Sequence, residues 1–166
     1  FRELAPVVSL AKEIDRCILS EEEIADDASN GLRSVRRAMK TAAEKIRTQL
    51  NSLVVNSRTY LQDGVITMRN GRYCVPVKAE HKSNVPGMVH DQSSSGSTIF
   101  VEPLSVVKLN NELRELEIRE QKEIEAVLAA LSNQTCDHLD ELTLDLELIG
   151  ELDFIFAKAA LSRHYR

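Results

Sequence analysis

The sequence predicts a mostly α protein with a small antiparallel β insertion, two long antiparallel helices carrying a four-stranded sheet at their tip. Apolar positions at Leu32, Val35, Met39, Ala42, Ile46, Leu50, Leu53, Ser57 and Leu61 step by three or four, with no Gly or Pro inside the run. Between Val65 and Glu102 the pattern shortens to brief alternating runs separated by Asn70-Gly71, Pro86-Gly87 and Ser95-Gly96. Beyond Pro103 the helical period returns at Leu109, Leu113, Leu116, Ile124, Leu128 and Leu131. The expected division is therefore 1–62, 63–103 and 104–166.

The first rod starts at Ser29 or Asn30, residues whose side chains cap helix N-termini. Its expected end is Asp63-Gly64, where Gly relieves a left-handed closing residue. Asn70-Gly71 predicts a hairpin, because both residues tolerate the positive φ of a type I′ turn. The strand RYCVPVKAEH that follows contains Pro76, which has no amide hydrogen and so belongs at a sheet edge or a bulge. GMVHD and TIFVE complete the sheet. In the returning rod Ser132 to Thr135 is the expected break, followed by a helix through Leu139, Leu142, Leu146, Ile149, Leu152 and Phe156. Neither long rod buries its stripe alone, so each is the natural partner of the other.

Composition agrees with aliphatic helices: 43% hydrophobic and 28% charged residues, only 4% aromatics and no Trp, a balance that excludes a disordered chain. The chain opens on Phe1 and runs from Ala160 to Arg166 without a terminator, so both ends read as cut from a longer protein. No apolar run approaches the roughly 20 residues of a bilayer span, and no leader opens the chain. A cytoplasmic protein with no membrane partner is expected. Cys17, Cys74 and Cys136 are odd in number and lack C-x-x-C spacing, which argues against a disulfide framework and suits a reducing compartment.

The net charge of −5 conceals a reversal of sign along the chain. Residues 1–30 carry 3 basic and 8 acidic groups, residues 31–60 carry 7 basic groups against Glu44 alone, and residues 104–166 carry 7 basic against 13 acidic. A polyanion would prefer the middle.

The stretch HDQSSSGSTIFVEP, residues 90–103, admits three readings. A Ser-His-Asp hydrolase needs a nucleophile on a strained turn in a G-x-S-x-G context, which is missing, and His90 and Asp91 should point to opposite faces of a strand. A nucleotide-binding loop needs Lys after its last Gly, where this sequence has Ser97. A tight turn joining two strands fits the Gly and Ser chemistry best. Its hydroxyls and amides also suit phosphate oxygens. Alternation places Arg72, Lys78 and Lys82 opposite Tyr73, Val75 and Val77, which reads either as a basic contact face or as a lysine-guarded edge. Cys74, His81 and His90 lack the spacing of a metal site. No catalytic residue and no metal ligand is expected.

Three strings together, IADDASNGLRSVRR, VITMRNGRYCVPVKAEHKSNVPGMVHDQSSSGSTIFVEPLSVVKLNNEL and ELDFIFAKAAL, resemble the MutS-II branch of the bacterial MutS proteins. The resemblance implies a segment of helical core and lever with a β-rich clamp at the lever tips. It implies a parent ATPase and endonuclease acting in DNA repair or suppression of recombination, with ATP and Mg held by an ATPase domain outside this segment, and a homodimer whose clamps close around duplex or branched DNA. Arg69, Arg72, Lys78, Lys82, Ser94, Ser95 and Ser97 are then the candidate nucleic-acid contacts, by position. A ribosome-binding arm and a pure scaffold are the competing readings.

Overall fold

The computed structural model describes residues 4–165; the terminal residues Phe1 and Arg166 lie outside them. The chain divides into two compact units, Asn30–Glu123 and the flanking segments up to Ser29 and from Ile124 onward. The β insertion shares a unit with the helix before it and with the first part of the helix after it, up to Glu123.

In the Asn30–Glu123 unit, helix α2 (Asn30–Asn56) buries Leu32, Val35, Ala42, Ile46 and Leu50, the predicted stripe. It opens at Asn30, as the capping residues indicate. Its end comes earlier than expected. After Asn56 the chain turns through Ser57 N–H to Leu53 O (2.8 Å) and Tyr60 N–H to Ser57 O (2.9 Å). Leu61 keeps the helical spacing but is buried by bridging Val77 of the sheet. Gly64 has no positive φ, so it does not close the helix; Asp63 instead makes a local turn by accepting the Val65 amide at 2.9 Å.

The sheet comprises β3 (Thr67–Arg69), β4 (Arg72–Lys78), β5 (Gly87–Gln92) and β6 (Thr98–Pro103) in the order β3-β4-β6-β5, with every neighbouring pair antiparallel. Asn70 (φ 50°) and Gly71 (φ 73°) supply the two left-handed residues of the β3–β4 turn. Strand β4 is interior, contrary to the expectation drawn from Pro76. The missing amide hydrogen falls on the β3 side, past the last β3–β4 pair at Thr67 and Cys74, where residues 60–62 take over through Gln62 N–H to Pro76 O (3.0 Å) and Lys78 N–H to Tyr60 O (3.0 Å). Also shorter than expected, β4 stops at Lys78, opposite Thr98 at the start of β6, and Ala79–Asn84 forms a 3₁₀ turn.

One face of the sheet contributes Val75, Val77, Ile99 and Val101 to a core shared with Ile46 and Leu50 of α2 and with Val106 and Leu113 of helix α3 (Leu104–Asp137). Within this unit α2 and α3 run antiparallel: Glu123 approaches Gly31, Glu120 pairs with Arg36 at 2.7 Å, and Leu109 lies beside Lys45.

In the second unit, helix α1 (Val8–Cys17) leads into a ribbon of β1 (Ile18–Ser20) and β2 (Glu23–Ile24). Cys17 packs with Val127 and Leu131 of α3, flanked by Ile14, Ile18, Ile24 and Ala28. The expected break at Ser132 to Thr135 does not occur. Thr135 donates its hydroxyl to Leu131 O at 2.8 Å, a bond that fits inside a helix, and α3 continues to Asp137. The break falls at His138 (φ −110°, ψ 20°), before helix α4 (Leu139–His164). No helix among the described residues is long and apolar enough to cross a membrane.

Candidate nucleic-acid interface

The strand face expected to be basic is closed in its middle. Arg72, Cys74, Pro76 and Lys78 alternate onto one side of β4, but Cys74 and Pro76 are buried, and the two cations at its ends are engaged. Arg72 Nη1 donates to Glu102 Oε1 at 3.2 Å. Lys78 Nζ donates to Thr59 O at 3.2 Å. Lys82 does not share that face, because it stands on the 3₁₀ turn; it is exposed beside an open groove of about 450 Å³ formed with Ser83, Val85, Pro86 and Gly87.

Glu102 organises the polar side of the sheet. It is fully buried, and its Oε1 also accepts from Asn110 Nδ2 at 2.8 Å, while His90 Nε2 meets its other oxygen at 2.5 Å. Asn110, buried at the start of α3, in turn accepts the Tyr73 amide (3.2 Å) and donates to the Tyr73 carbonyl (3.3 Å). A buried carboxylate is tolerable only with such partners. Burial, and secondarily the charge of Glu102, pushes the Cys74 thiol up to about 11.

His90 and Asp91 do not point to opposite faces. The register of β5 on β6 shifts between Val89 and Asp91, so His90 is the extra residue of a β-bulge. His90 then faces Glu102 while Asp91 faces Arg69, whose guanidinium sits 4.0 Å above the ring of Phe100, two residues from Glu102 on β6. Both residues are thus engaged away from the serine turn, which disposes of a triad there. Among the described residues no group of three or more His, Cys, Asp or Glu gathers to hold a metal ion.

The serine stretch is the β5–β6 turn, closed by Gly96 N–H to Ser93 O and Ser93 N–H to Thr98 O, both 2.9 Å, with Gly96 at φ 73°. Ser94, Ser95 and Ser97 are exposed, and the Ser95 and Ser97 hydroxyls are 2.8 Å apart. Of the residues singled out by position, Lys82 and these three serines face solvent, whereas Arg69, Arg72 and Lys78 hold internal partners. Sequence reasoning missed Glu102 and Asn110. Their signal was legible as a carboxylate in the apolar run TIFVEP, and as an Asn on the helix turn between Val106 and Leu113.

No family model matches the chain. Curated relatives named Endonuclease MutS2 do: that of Agathobacter rectalis is 59% identical over 99% of this chain, that of Lachnospira eligens 58% over 97%, and that of Clostridium novyi 47% over 94%. The chain spans 21%, 21% and 20% of their respective lengths. Along nearly its whole length, this chain is similar to a stretch that makes up about one fifth of the length of each of these proteins named Endonuclease MutS2.

Proposed function

We propose that this chain is the lever and clamp segment of a MutS2-type protein, with an ascending helix to residue 62, a clamp at 63–103 and a descending helix from 104. The segment binds duplex or branched DNA through the phosphate backbone, without reading bases and without catalysing a reaction. In a homodimer two such clamps close around the duplex, and the ATPase and endonuclease belong to the rest of the protein. The observation that carries this reading is the similarity of nearly the whole chain to proteins whose name states an action on nucleic acid. Supporting it, a sheet is inserted between two long antiparallel helices, and its 3₁₀ turn and β5–β6 turn expose Lys82 and the hydroxyls of Ser94, Ser95 and Ser97, groups suited to phosphate oxygens. Lys78 adds a cation at the same end of the sheet, while Arg69 and Arg72 brace the framework.

One observation favours a second reading, a scaffold without a ligand: both arginines of the insertion are engaged with its own carboxylates. Salt titration of duplex binding separates the two. With about three phosphates neutralised by the insertion, its share of the log-log slope is near −3, and Lys78→Gln/Lys82→Gln should flatten the slope by about 2. A scaffold shows no salt-dependent binding, and an unchanged slope in the double variant removes the sheet from the interface.

A further inference from the structure

We infer that the outward face of α2 is a second contact surface for the backbone of duplex DNA, formed by Arg37, Lys45 and Arg47. This inference rests on the DNA-binding reading above and extends it from the sheet to the helix.

The helix geometry sets these three apart. At 100° per residue, Arg37 lies roughly 180° around α2 from buried Ile46, and Lys45 and Arg47 flank it at about 80° on either side. All three are exposed, and none has an ion-pair partner among the described residues. Their neighbour Arg36 shows the contrast, being half-buried against Glu120 at 2.7 Å. Glu44 is the only acid of α2. Thr41 and Thr48 turn their hydroxyls back onto the carbonyls of Arg37 (3.1 Å) and Glu44 (2.8 Å), so they lie low between the long cations.

A positive face of this kind is not a share of a generally basic surface, because the chain as a whole carries −5. It spans about 15 Å of helix axis, against which a duplex presents about nine phosphates at one charge per 1.7 Å. The occupant is double-stranded for a chemical reason. Single strands are held by stacking their bases on aromatic rings, and the face formed by Arg37, Thr41, Glu44, Lys45, Arg47 and Thr48 has no ring. Its groups neutralise and position, which is backbone recognition.

The test is fluorescence anisotropy of a 30-base-pair duplex across a KCl series with the 166-residue chain. Arg37→Gln/Lys45→Gln/Arg47→Gln should make the log-log slope shallower by about 2.7, at 0.9 per phosphate contact. Glutamine is nearly as good a helix former as the residues replaced, and circular dichroism checks that helix content holds. Glu44→Gln, which removes the one opposing charge, should tighten binding by about twofold, the scale of one exposed charge pair. An unchanged slope in the triple variant with native helix content overturns the inference, as does a preference for a 30-nucleotide single strand. So does a triple variant that loses only a salt-sensitive self-association, since the face then docks on acidic residues of a second copy. The Lys78→Gln/Lys82→Gln arm keeps the two readings apart. If it alone flattens the slope, the helix surface fails and the sheet contact stands; if only the triple variant does, the reverse holds; if the parent chain binds no duplex, both fall.

Discussion

Arg69 on β3 and Asp91 on β5 meet at 3.1 Å, although these are the two outer strands of a four-stranded sheet. The sheet is coiled enough that its edges are tied across the polar face, over Phe100 of β6. A second tie lies beside the first, from Asn70 Nδ2 to the carbonyl of His90 at 3.0 Å, so the β3–β4 turn is anchored to the bulge of β5. These two ties link the outer strands through side chains, while the backbone edges of β3 and β5 remain unpaired with each other.

Breaking the tie should loosen β5 before it unfolds the sheet. Arg69→Ala removes a half-exposed ion pair and a ring contact, together worth about 1–2 kcal/mol. Arg69→Lys retains the charge but not the flat group that lies on Phe100, so it should restore only part of the loss. Amide hydrogen exchange is the appropriate measurement: protection should fall in Gly87–Gln92 more than in Arg72–Lys78, and equal loss in both strands would refute the strut.

Glu102 carries more weight than any surface pair. Its oxygens satisfy Arg72, Asn110 and His90 in a buried setting, and removing one member of such a set leaves the others desolvated without a partner. Glu102→Ala is therefore expected to cost about 3–5 kcal/mol, and Glu102→Gln, which keeps the volume and an acceptor, distinctly less. Urea unfolding reads both. An alanine variant within about 1 kcal/mol of the parent would show that the network adds little to the fold.

Periodicity made α2, the β3–β4 turn and the β5–β6 turn legible in the sequence, because each rests on local chemistry: an apolar stripe, Asn-Gly, and Ser-Gly. What stayed hidden depends on partners distant in sequence. Leu61 continues the helical spacing, yet its place is decided by Val77. Pro76 argued for an edge, and only the early end of β3 lets an interior strand accommodate it. The bulge that turns His90 and Asp91 to one side is invisible to strict alternation. Cations along the strands read as a surface until Glu102, 30 residues beyond Arg72, and Asp91 of a later strand claim Arg72 and Arg69. Residues 4–28, with short elements and no sustained period, offered no pattern to assign.

Two glycines should differ in the cause of their sensitivity. A Cβ at Gly87 would stand 2.2 Å from the backbone oxygen of Glu102, so any side chain drives β5 off β6. At Gly71 a Cβ meets nothing within 4 Å, and only the φ of 73° opposes it. Gly71→Ala should cost about 1–2 kcal/mol of conformational strain. Gly87→Ala should cost more and should also disturb the β5–β6 cross-peaks in a nuclear Overhauser spectrum; equal losses with those cross-peaks intact would contradict the steric account.

The three cysteines supply a chemical test of the packing. Cys136 is exposed, whereas Cys17 and Cys74 are buried, and burial raises both thiols, that of Cys74 to about 11. At pH 8 such a thiol is ionised in about one molecule per thousand, and the thiolate is the reactive form. Iodoacetamide at pH 8 should therefore modify Cys136 in the folded chain and reach Cys74 only after urea is added. The raised value also has a sign for stability. The folded state holds the Cys74 proton more tightly than the unfolded chain, so this contribution is complete below the ordinary thiol value of 9.0 and is lost as pH rises from there towards about 11. Cys74→Ala should lose less stability than the parent across that interval. Alkylation of Cys74 as fast as Cys136 in the native protein would mean that the polar face of the sheet is open to solvent.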